Sequence, residues 1–156
     1  MKENEEFYTF NNYLKIDGGL ITASMEDYIE MIYRLSENNG FTRAGDLSKA
    51  LNVKPASITK MIKKLDELNL AKYEKYGYIR LTENGSNYGA YLLNRHNTVE
   101  RFLKILGVSK CLLQETEKIE HVLSKETFER IINFIEVVEK HPEIKRLLDN
   151  NSIMER

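Results

Sequence analysis

The sequence predicts a mainly α-helical protein, and three features of the chain lead to that prediction. Through most of the chain after residue 23, apolar residues recur every three to four positions, which is the spacing of an amphipathic helix. One stretch, AKYEKYGYIRLT, alternates instead in the manner of two short strands around Gly77. Directly before that stretch, two short helical segments are joined by only three residues.

The first helix is predicted from Ser24 to about Asn38. Ser24 is a good N-cap residue, Asp27 follows three residues later, and the helical spacing ends at Asn38-Asn39-Gly40. Residues 1–22 show no sustained periodicity, so we expect them to form a loosely held N-terminal extension.

Two shorter helices are predicted over residues 43–51 and 55–68. Pro55 suits the first position of the second helix, where its missing N–H would have no helical partner. Two helices joined by so short a turn have the spacing of a helix-turn-helix. Because a hairpin follows directly, we expect a winged helix-turn-helix domain over residues 23–88.

A long helix is predicted from Glu83 to about Leu106, where Gly107 ends it. Amphipathic helices are expected near residues 109–123, 124–139 and 142–149, with His141 at a helix boundary. Residues 89–156 would then form an α-helical dimerisation domain, joined to the first domain by the long helix. The residues expected at the dimer interface are Leu112, Leu113, Ile119, Val122, Leu123, Ile131 and Phe134.

Composition limits the class of protein. No apolar run approaches the roughly 18 to 20 residues that cross a bilayer, and the start MKENEEF lacks the order of a signal peptide. We therefore expect a cytoplasmic protein with no membrane partner. The single cysteine, Cys111, cannot form an internal disulfide; a small buried apolar residue is as good an interpretation as a reactive thiol.

The net charge of −1 is unevenly distributed. Residues 41–82 carry 9 basic and 4 acidic side chains, whereas residues 1–40 and 112–156 are acidic. This local positive charge coincides with the predicted helix-turn-helix and hairpin, which permits a nucleic-acid partner despite the net charge.

The helix predicted at 55–68 has the features of an element that reads double-stranded DNA. One face is apolar, whereas the other carries lysines and hydroxyl groups, with small residues at its N-terminus. Lysines would bind phosphates, and small residues would let base edges approach. A solvated lysine face is the alternative for such a helix alone, but its neighbours favour DNA. The candidate DNA-binding residues are Thr42, Pro55, Ala56, Ser57, Thr59, Lys60, Lys64, Lys75 and Tyr76.

Acidic residues and histidines form a second pattern. Glu120 is three residues after Glu117 and His121 is four residues after it, so all three side chains project from one helical face. The first helix repeats such an acidic pair, and the long helix adds a histidine. Each group alone is explained by a solvated acidic face or a structural histidine. Together, four carboxylates and two imidazoles suit Mn²⁺ or Fe²⁺, and the carboxylates would balance two divalent cations. The candidate ligands are Asp27, Glu30, His96, Glu117, Glu120 and His121.

With these motifs assembled, the chain resembles the manganese-dependent, MntR-type branch of the diphtheria toxin repressor family of metal-dependent repressors. The resemblance covers roughly residues 21–149 and rests on segments that occur in the family's order: SMEDYIEMIY, KPASITKMIKKLDELNL, YEKYGYIRLT, the Arg95-His96 pair and IEHVLS. It implies a homodimer that binds palindromic operator DNA and represses manganese uptake genes. The N-terminal extension has no counterpart in the family pattern.

The resemblance further implies that the six candidate ligands hold a binuclear site with two Mn²⁺ ions per protomer. Glu30, Glu117 and Glu120 would be the bridging or shared carboxylates. The iron-sensing branch has methionine where this chain has Asp27 and cysteine where it has Glu117. Hard oxygen donors at both positions favour Mn²⁺.

Two other functions compete with this interpretation. The first is a winged-helix regulator that senses iron or a non-metal ligand, with acidic helices that are merely solvated. The second is a dimetal carboxylate enzyme. Helical dimetal oxidases typically use two Glu-x-x-His motifs, and the candidate ligands contain none, so we do not expect an enzyme.

Overall fold

The computed structural model describes residues 21–151, which contain seven α-helices and a three-stranded sheet. In chain order these are α1 (Ala23–Ser36), β1 (Thr42–Arg43), α2 (Ala44–Ala50), α3 (Pro55–Glu67), β2 (Ala71–Tyr73), β3 (Tyr78–Leu81), α4 (Glu83–Ile105), α5 (Leu112–Glu120), α6 (Lys125–Lys140) and α7 (Pro142–Asn151). The predicted mainly α-helical fold with a winged helix-turn-helix is confirmed. No helix in this part of the chain has both the length and the apolar character to span a bilayer.

Helix α1 begins earlier than predicted, because Thr22 is its N-cap and Ser24 is not. Thr22 is extended, with φ −92° and ψ 159°, and its Oγ1 accepts the N–H of Met25 at 3.3 Å. Ser24 already lies within the helix, so it cannot cap it. Of the predicted extension, residues 1–20 lie outside the described residues.

Helices α2 and α3 form the predicted helix-turn-helix. Across the turn, the Ser48 hydroxyl donates to the Val53 carbonyl at 2.6 Å. Pro55 occupies the start of α3, as predicted. The apolar face of α3 is fully buried at Ile58, Ile62 and Leu65, which fixes the opposite, polar face toward solvent.

The predicted hairpin is present, together with a third strand that the sequence did not reveal. Strand β3 lies between β2 and β1 and is antiparallel to both. Ala71 lies opposite Leu81, and Thr42 lies opposite Ile79. At two residues, β1 is too short to show an alternating pattern in the sequence. We call the hairpin of β2 and β3, residues 71–81, the wing. The pairing of β1 with β3 joins the wing to Arg43, the residue that precedes α2.

Two glycines of α4 allow close packing within the first part of the chain. A Cβ atom on Gly85 would lie 1.8 Å from the carbonyl oxygen of Leu70. A Cβ atom on Gly89 would lie 2.6 Å from the Cβ of Tyr33 in α1. Any larger residue at either position would therefore displace α4 from its neighbours.

The chain divides into two compact units, and the division falls after Leu92, inside α4. The first unit has a continuous apolar core to which α1, α2, α3 and the sheet all contribute. In the second unit Val99 and Val138 are fully buried, and the Phe102 and Phe134 rings meet edge to face with centroids 5.6 Å apart. The predicted domain boundary, between residues 88 and 89, falls in the same helix.

Helix α5 is shorter than the predicted 109–123. Cys111 precedes it in a left-handed conformation, with φ 58°, and His121 is its C-cap. The Cys111 side chain is exposed, so its interpretation as a buried apolar residue is wrong. Ser124 caps α6 by accepting the Thr127 N–H at 3.2 Å, and His141 ends that helix at the predicted boundary.

Candidate functional site

The solvent-facing side of α3 carries most of the candidate DNA-binding residues. Pro55, Ala56, Ser57, Thr59, Lys60 and Lys64 are all exposed. The first turn of α3 contains no acidic side chain, so nothing there opposes the favourable interaction of a helix N-terminus with a phosphate. The arrangement presents small and hydroxyl side chains first and lysines along the flank.

Thr42 differs from the rest of the DNA-binding set, because it is buried in β1 opposite Ile79. Little of its side chain is left for a ligand. The exposed residue beside it is Arg43, whose Nη2 donates to the Tyr78 hydroxyl at 3.2 Å and whose guanidinium lies 5.2 Å from the centre of that ring. Sequence reasoning did not single out Arg43, since its exposure depends on the undetected strand.

The tip of the wing is a 3₁₀ turn, Lys75–Gly77, with an unusual backbone at its centre. Tyr76 adopts φ 66° and ψ 20° and is 91% exposed. A large aromatic residue in the left-handed region is strained, and its exposure removes any packing reason for it. The Tyr76 side chain is therefore free of packing constraints at the tip of the wing, where its DNA-binding role stays a prediction.

The wing is held to the body of its unit by Arg80. Its guanidinium donates to Glu74 Oε2 at 3.0 Å and to the Gly40 carbonyl at 3.2 Å. The same group lies 5.1 Å from the centre of the Phe41 ring. Glu74 is the only acidic residue between residues 71 and 82, so Arg80 also neutralises the one charge there that would repel DNA.

In the second unit, Glu120 gathers two of the candidate ligand histidines. The Glu120 side chain is almost fully buried, and its Oε2 lies 3.0 Å from His96 Nδ1. Its Oε1 lies 3.8 Å from His121 Nε2. Glu117, one turn earlier in α5, has an exposed side chain. The structure therefore places two of the other three candidate ligands of this unit beside the buried Glu120 carboxylate.

His121 has a further neighbour, the buried side chain of Arg95. Arg95 Nη2 lies 3.3 Å from His121 Nδ1, and because a guanidinium can only donate, that imidazole nitrogen accepts. The sequence placed Arg95 beside His96 but gave no sign of this pairing, which links residues 26 positions apart.

In the first unit, α1 carries the other two candidate ligands. Asp27 is exposed, whereas Glu30 is buried. Glu30 Oε1 accepts two hydrogen bonds from Arg34, one from Nε at 2.9 Å and one from Nη2 at 2.5 Å. Arg34 is four residues after Glu30, which is the spacing of a helical ion pair, although sequence reasoning did not single out this pair.

These donors fit a hard divalent cation. Burying a carboxylate without a partner is costly, and Glu30 and Glu120 are two buried carboxylates on different helices. Each is compensated by a nitrogen group, Arg34 for the first and His96 for the second. Oxygen donors with imidazole nitrogen, and no thiolate, suit Mn²⁺ or Fe²⁺ better than ions that prefer thiolate ligands.

Two family models match the chain in tandem. Residues 20–79 match the N-terminal DNA binding domain of the iron dependent repressors. Residues 82–149 match the metal binding and dimerisation domain of the same proteins.

Two relatives match the chain over most of their length. The HTH-type transcriptional regulator MntR of Lysinibacillus sphaericus is 42% identical over 129 residues, which is 82% of this chain and 93% of that protein. The HTH-type transcriptional regulator MntR of Listeria welshimeri is 46% identical over 123 residues, which is 78% of this chain and 87% of that protein.

Solved structures show the same architecture. IdeR of T. acidophilum matches with a TM-score of 0.61 and 32% identity over 69% of this chain and 52% of its own. The manganese regulator SloR matches with a TM-score of 0.64 and 27% identity over 72% of this chain and 53% of its own. The chain thus spans about half the length of these two proteins. We conclude that the chain is an MntR-type member of the iron-dependent repressor family of transcriptional regulators, because both domains of that family match it in tandem and two bacterial MntR proteins are 42% and 46% identical to it.

Proposed function

We propose that this regulator is a manganese-responsive repressor, which binds palindromic operator DNA as a homodimer and represses manganese uptake genes. The observation that carries the proposal is the cluster of His96, Glu120 and His121, in the unit that matches a metal binding domain. A cytoplasmic location, where operator DNA lies, follows from the proposal. A family of transcriptional regulators is not a class of enzymes, so no catalytic role is proposed.

The DNA-binding role is assigned to the exposed face of α3 and to the wing. Lys60 and Lys64 would bind phosphates, and the small residues at the front of α3 would allow base edges to approach. Lys75 and Tyr76 would contact the DNA backbone from the tip of the wing. We add Arg43 to this set because it is exposed beside buried Thr42.

The metal-binding role is assigned to six side chains, which we propose hold two Mn²⁺ ions per protomer. Asp27 and Glu117 would favour Mn²⁺ over Fe²⁺, since both offer hard oxygen donors at positions where the iron-sensing branch has sulfur. A solved relative described as a manganese regulator supports this choice of ion. The proposed ligands are Asp27, Glu30, His96, Glu117, Glu120 and His121.

The proposed mechanism follows from where these residues stand in the chain. Asp27 and Glu30 belong to the unit that carries α3, and the other four belong to the second unit. Bound manganese would supply positive charge that offsets the mutual repulsion of the four carboxylates. Ligation by both units would favour one arrangement of each protomer, in which the two α3 helices of the dimer match major grooves roughly 34 to 36 Å apart.

Exposed apolar residues of the second unit support the proposed dimer. Leu113 and Val122, which the sequence assigned to the interface, are both exposed. Ile131, assigned with them, is instead buried, and Phe134 packs on Phe102 in the same chain. The proposed contact surface is therefore built around α5 and the residues that follow it.

The proposal is tested by fluorescence anisotropy, with a labelled duplex from upstream of a manganese uptake gene. Mn²⁺, anaerobic Fe²⁺, Zn²⁺ and Mg²⁺ are titrated against wild type, Glu120→Ala and His121→Ala. Mn²⁺ is expected to tighten DNA binding by about 5- to 150-fold, the usual range of allosteric coupling, and either substitution should abolish that gain. Glu129→Ala, an exposed carboxylate on α6, is the matched control and should behave as wild type.

The same titration decides between the proposal and its rivals. A response to Fe²⁺ that exceeds the response to Mn²⁺ would make the protein an iron sensor. Tight DNA binding without any metal, unaffected by Glu120→Ala, would leave a winged-helix regulator that senses another ligand.

A further inference from the structure

The proposed metal ligand Glu30 is already paired with a cation of the chain itself. Two N–H groups of Arg34 converge on Glu30 Oε1, at 2.9 and 2.5 Å. We infer that Arg34 competes with manganese for Glu30 and thereby raises the manganese concentration at which the protein switches. The inference rests on the function proposed above, and it assigns a regulatory role to a residue outside the ligand set.

This pair differs from the other i,i+4 ion pairs that the described chain contains. The carboxylates of Glu100, Glu129 and Glu136, paired with Lys104, Lys125 and Lys140, are 33%, 58% and 57% exposed. The Glu30 side chain is only 12% exposed, and its partner is an arginine that donates twice to one oxygen. An exposed ion pair contributes little because water screens it, whereas a buried carboxylate depends on its partner.

The expected sign of the effect follows from electrostatics. A metal ion and a guanidinium both seek the lone pairs of Glu30 Oε1, so binding one weakens binding of the other. In addition, a fixed positive charge beside the site repels a doubly charged ion. Even in a water-like dielectric, charges of one and two at a separation of several ångströms change affinity by about tenfold.

A second arginine repeats the arrangement in the other unit. Arg95 donates to His121 Nδ1 at 3.3 Å, and so occupies a lone pair of another proposed ligand. Arg95 is buried, and truncating it would leave a hole in the second unit. Arg34 is the better residue to change, because its side chain is 37% exposed.

The experiment measures manganese affinity directly, by the electron paramagnetic resonance signal of free Mn²⁺, in the absence of DNA. Arg34→Gln should bind Mn²⁺ about tenfold more tightly than wild type. Arg34→Lys keeps the charge and should stay closer to wild type than to the glutamine variant. Lys140→Gln breaks an ion pair of the same spacing that involves no proposed ligand, and should leave affinity unchanged.

Unchanged affinity in Arg34→Gln would overturn the inference. Weaker binding would also overturn it, because Arg34 would then orient Glu30 for the metal. Glu30→Gln separates this failure from that of the proposed function. If wild type binds Mn²⁺ no better than Glu30→Gln does, Glu30 is not a ligand and the inference falls, whereas the proposed function falls only if Mn²⁺ also fails to tighten DNA binding by the wild type. Thermal unfolding without metal checks that each variant is folded.

Discussion

The two units of the chain bury their apolar residues to different extents. In the first unit, α1, α2, α3 and the sheet all contribute side chains with no exposure to one core. The described part of the second unit has fewer fully buried residues and leaves five large apolar side chains exposed: Leu106, Leu113, Val122, Val137 and Leu147. Among residues 21–92 of the first unit, two of the three exposed large apolar side chains are wing tyrosines, Tyr73 and Tyr76.

This difference separates two uses of apolar surface. The first unit uses it to hold a rigid platform for α3 and the wing. The second unit leaves some of it exposed, as at Leu113 and Val122, and exposed apolar surface is a common feature of interaction sites. The match of this unit to a dimerisation domain indicates that a second copy of the chain is the partner.

The largest expected effect contrasts one leucine from each unit. Leu65→Ala removes a fully buried side chain of α3 and should lower the free energy of unfolding by about 2–5 kcal/mol. Leu147→Ala makes the same chemical change at a residue that is 63% exposed, and should cost less than about 0.5 kcal/mol. Urea denaturation followed by circular dichroism measures both. Equal losses would remove the contrast between the units.

The next effect tests whether the exposed apolar surface of the second unit has a partner. Val122→Glu places a charge on a side chain that is 79% exposed, and should weaken dimerisation at least about tenfold. Leu35→Glu makes a similar change in the first unit and should leave the dimer intact. Sedimentation equilibrium measures both dissociation constants. If the two variants dimerise equally well, the surface around Val122 is not the interface.

A smaller effect is expected at the wing, where replacing Tyr76 should relieve backbone strain but weaken DNA binding. Tyr76→Gly should weaken operator binding by about tenfold, as for the loss of one hydrogen bond to a charged group. Its stability should stay within about 1 kcal/mol of wild type, because glycine adopts the positive φ of this position without strain. Manganese affinity without DNA is the control and should not change. Unaltered DNA affinity would mean that Tyr76 has no role in recognition.

The smallest effect concerns pH and the last helix of the second unit. The pKa of Glu143 is lowered by a hydrogen bond from its own backbone N–H and then by His141, whose Nδ1 lies 3.0 Å away. A carboxyl whose pKa is lower when folded stabilises the fold above its unfolded pKa, and that contribution is lost as pH falls through the folded pKa. Wild type should therefore melt slightly above Glu143→Gln at pH 7, and the gap should close below about pH 4. A gap that persists in acid would contradict this cause.

Much of the fold could be predicted because its pattern is local. The apolar face of α3 and the alternation of the hairpin both repeat over many residues, and Pro55 marks a helix start by its own covalent geometry. Strand β1 could not be predicted, because two residues carry no period and their partners in β3, Ile79 and Tyr78, are 37 and 35 positions away. The choice of Thr22 over Ser24 as N-cap depends on backbone angles that either residue could adopt.

The candidate site shows the same limit. Helical spacing predicted that Glu117 shares a face with Glu120 and His121, but the contact of Glu120 with His96 comes from packing between residues 24 positions apart. The burial of individual ligands could not be predicted from the sequence either, since Glu117 and Glu120 have the same side chain and only Glu120 is buried. The spacing of Arg34 and Glu30 is a signal that sequence reasoning could have used, but only the burial of Glu30 distinguishes this pair from an ordinary surface ion pair.

The central claim is that metal and operator DNA favour the same state of the protein. It is tested most directly by measuring Mn²⁺ affinity with and without saturating operator DNA, and DNA affinity with and without saturating Mn²⁺. Because linkage is reciprocal, the account predicts that DNA tightens Mn²⁺ binding by the same factor by which Mn²⁺ tightens DNA binding. Equal Mn²⁺ affinity in the presence and absence of operator DNA would contradict it.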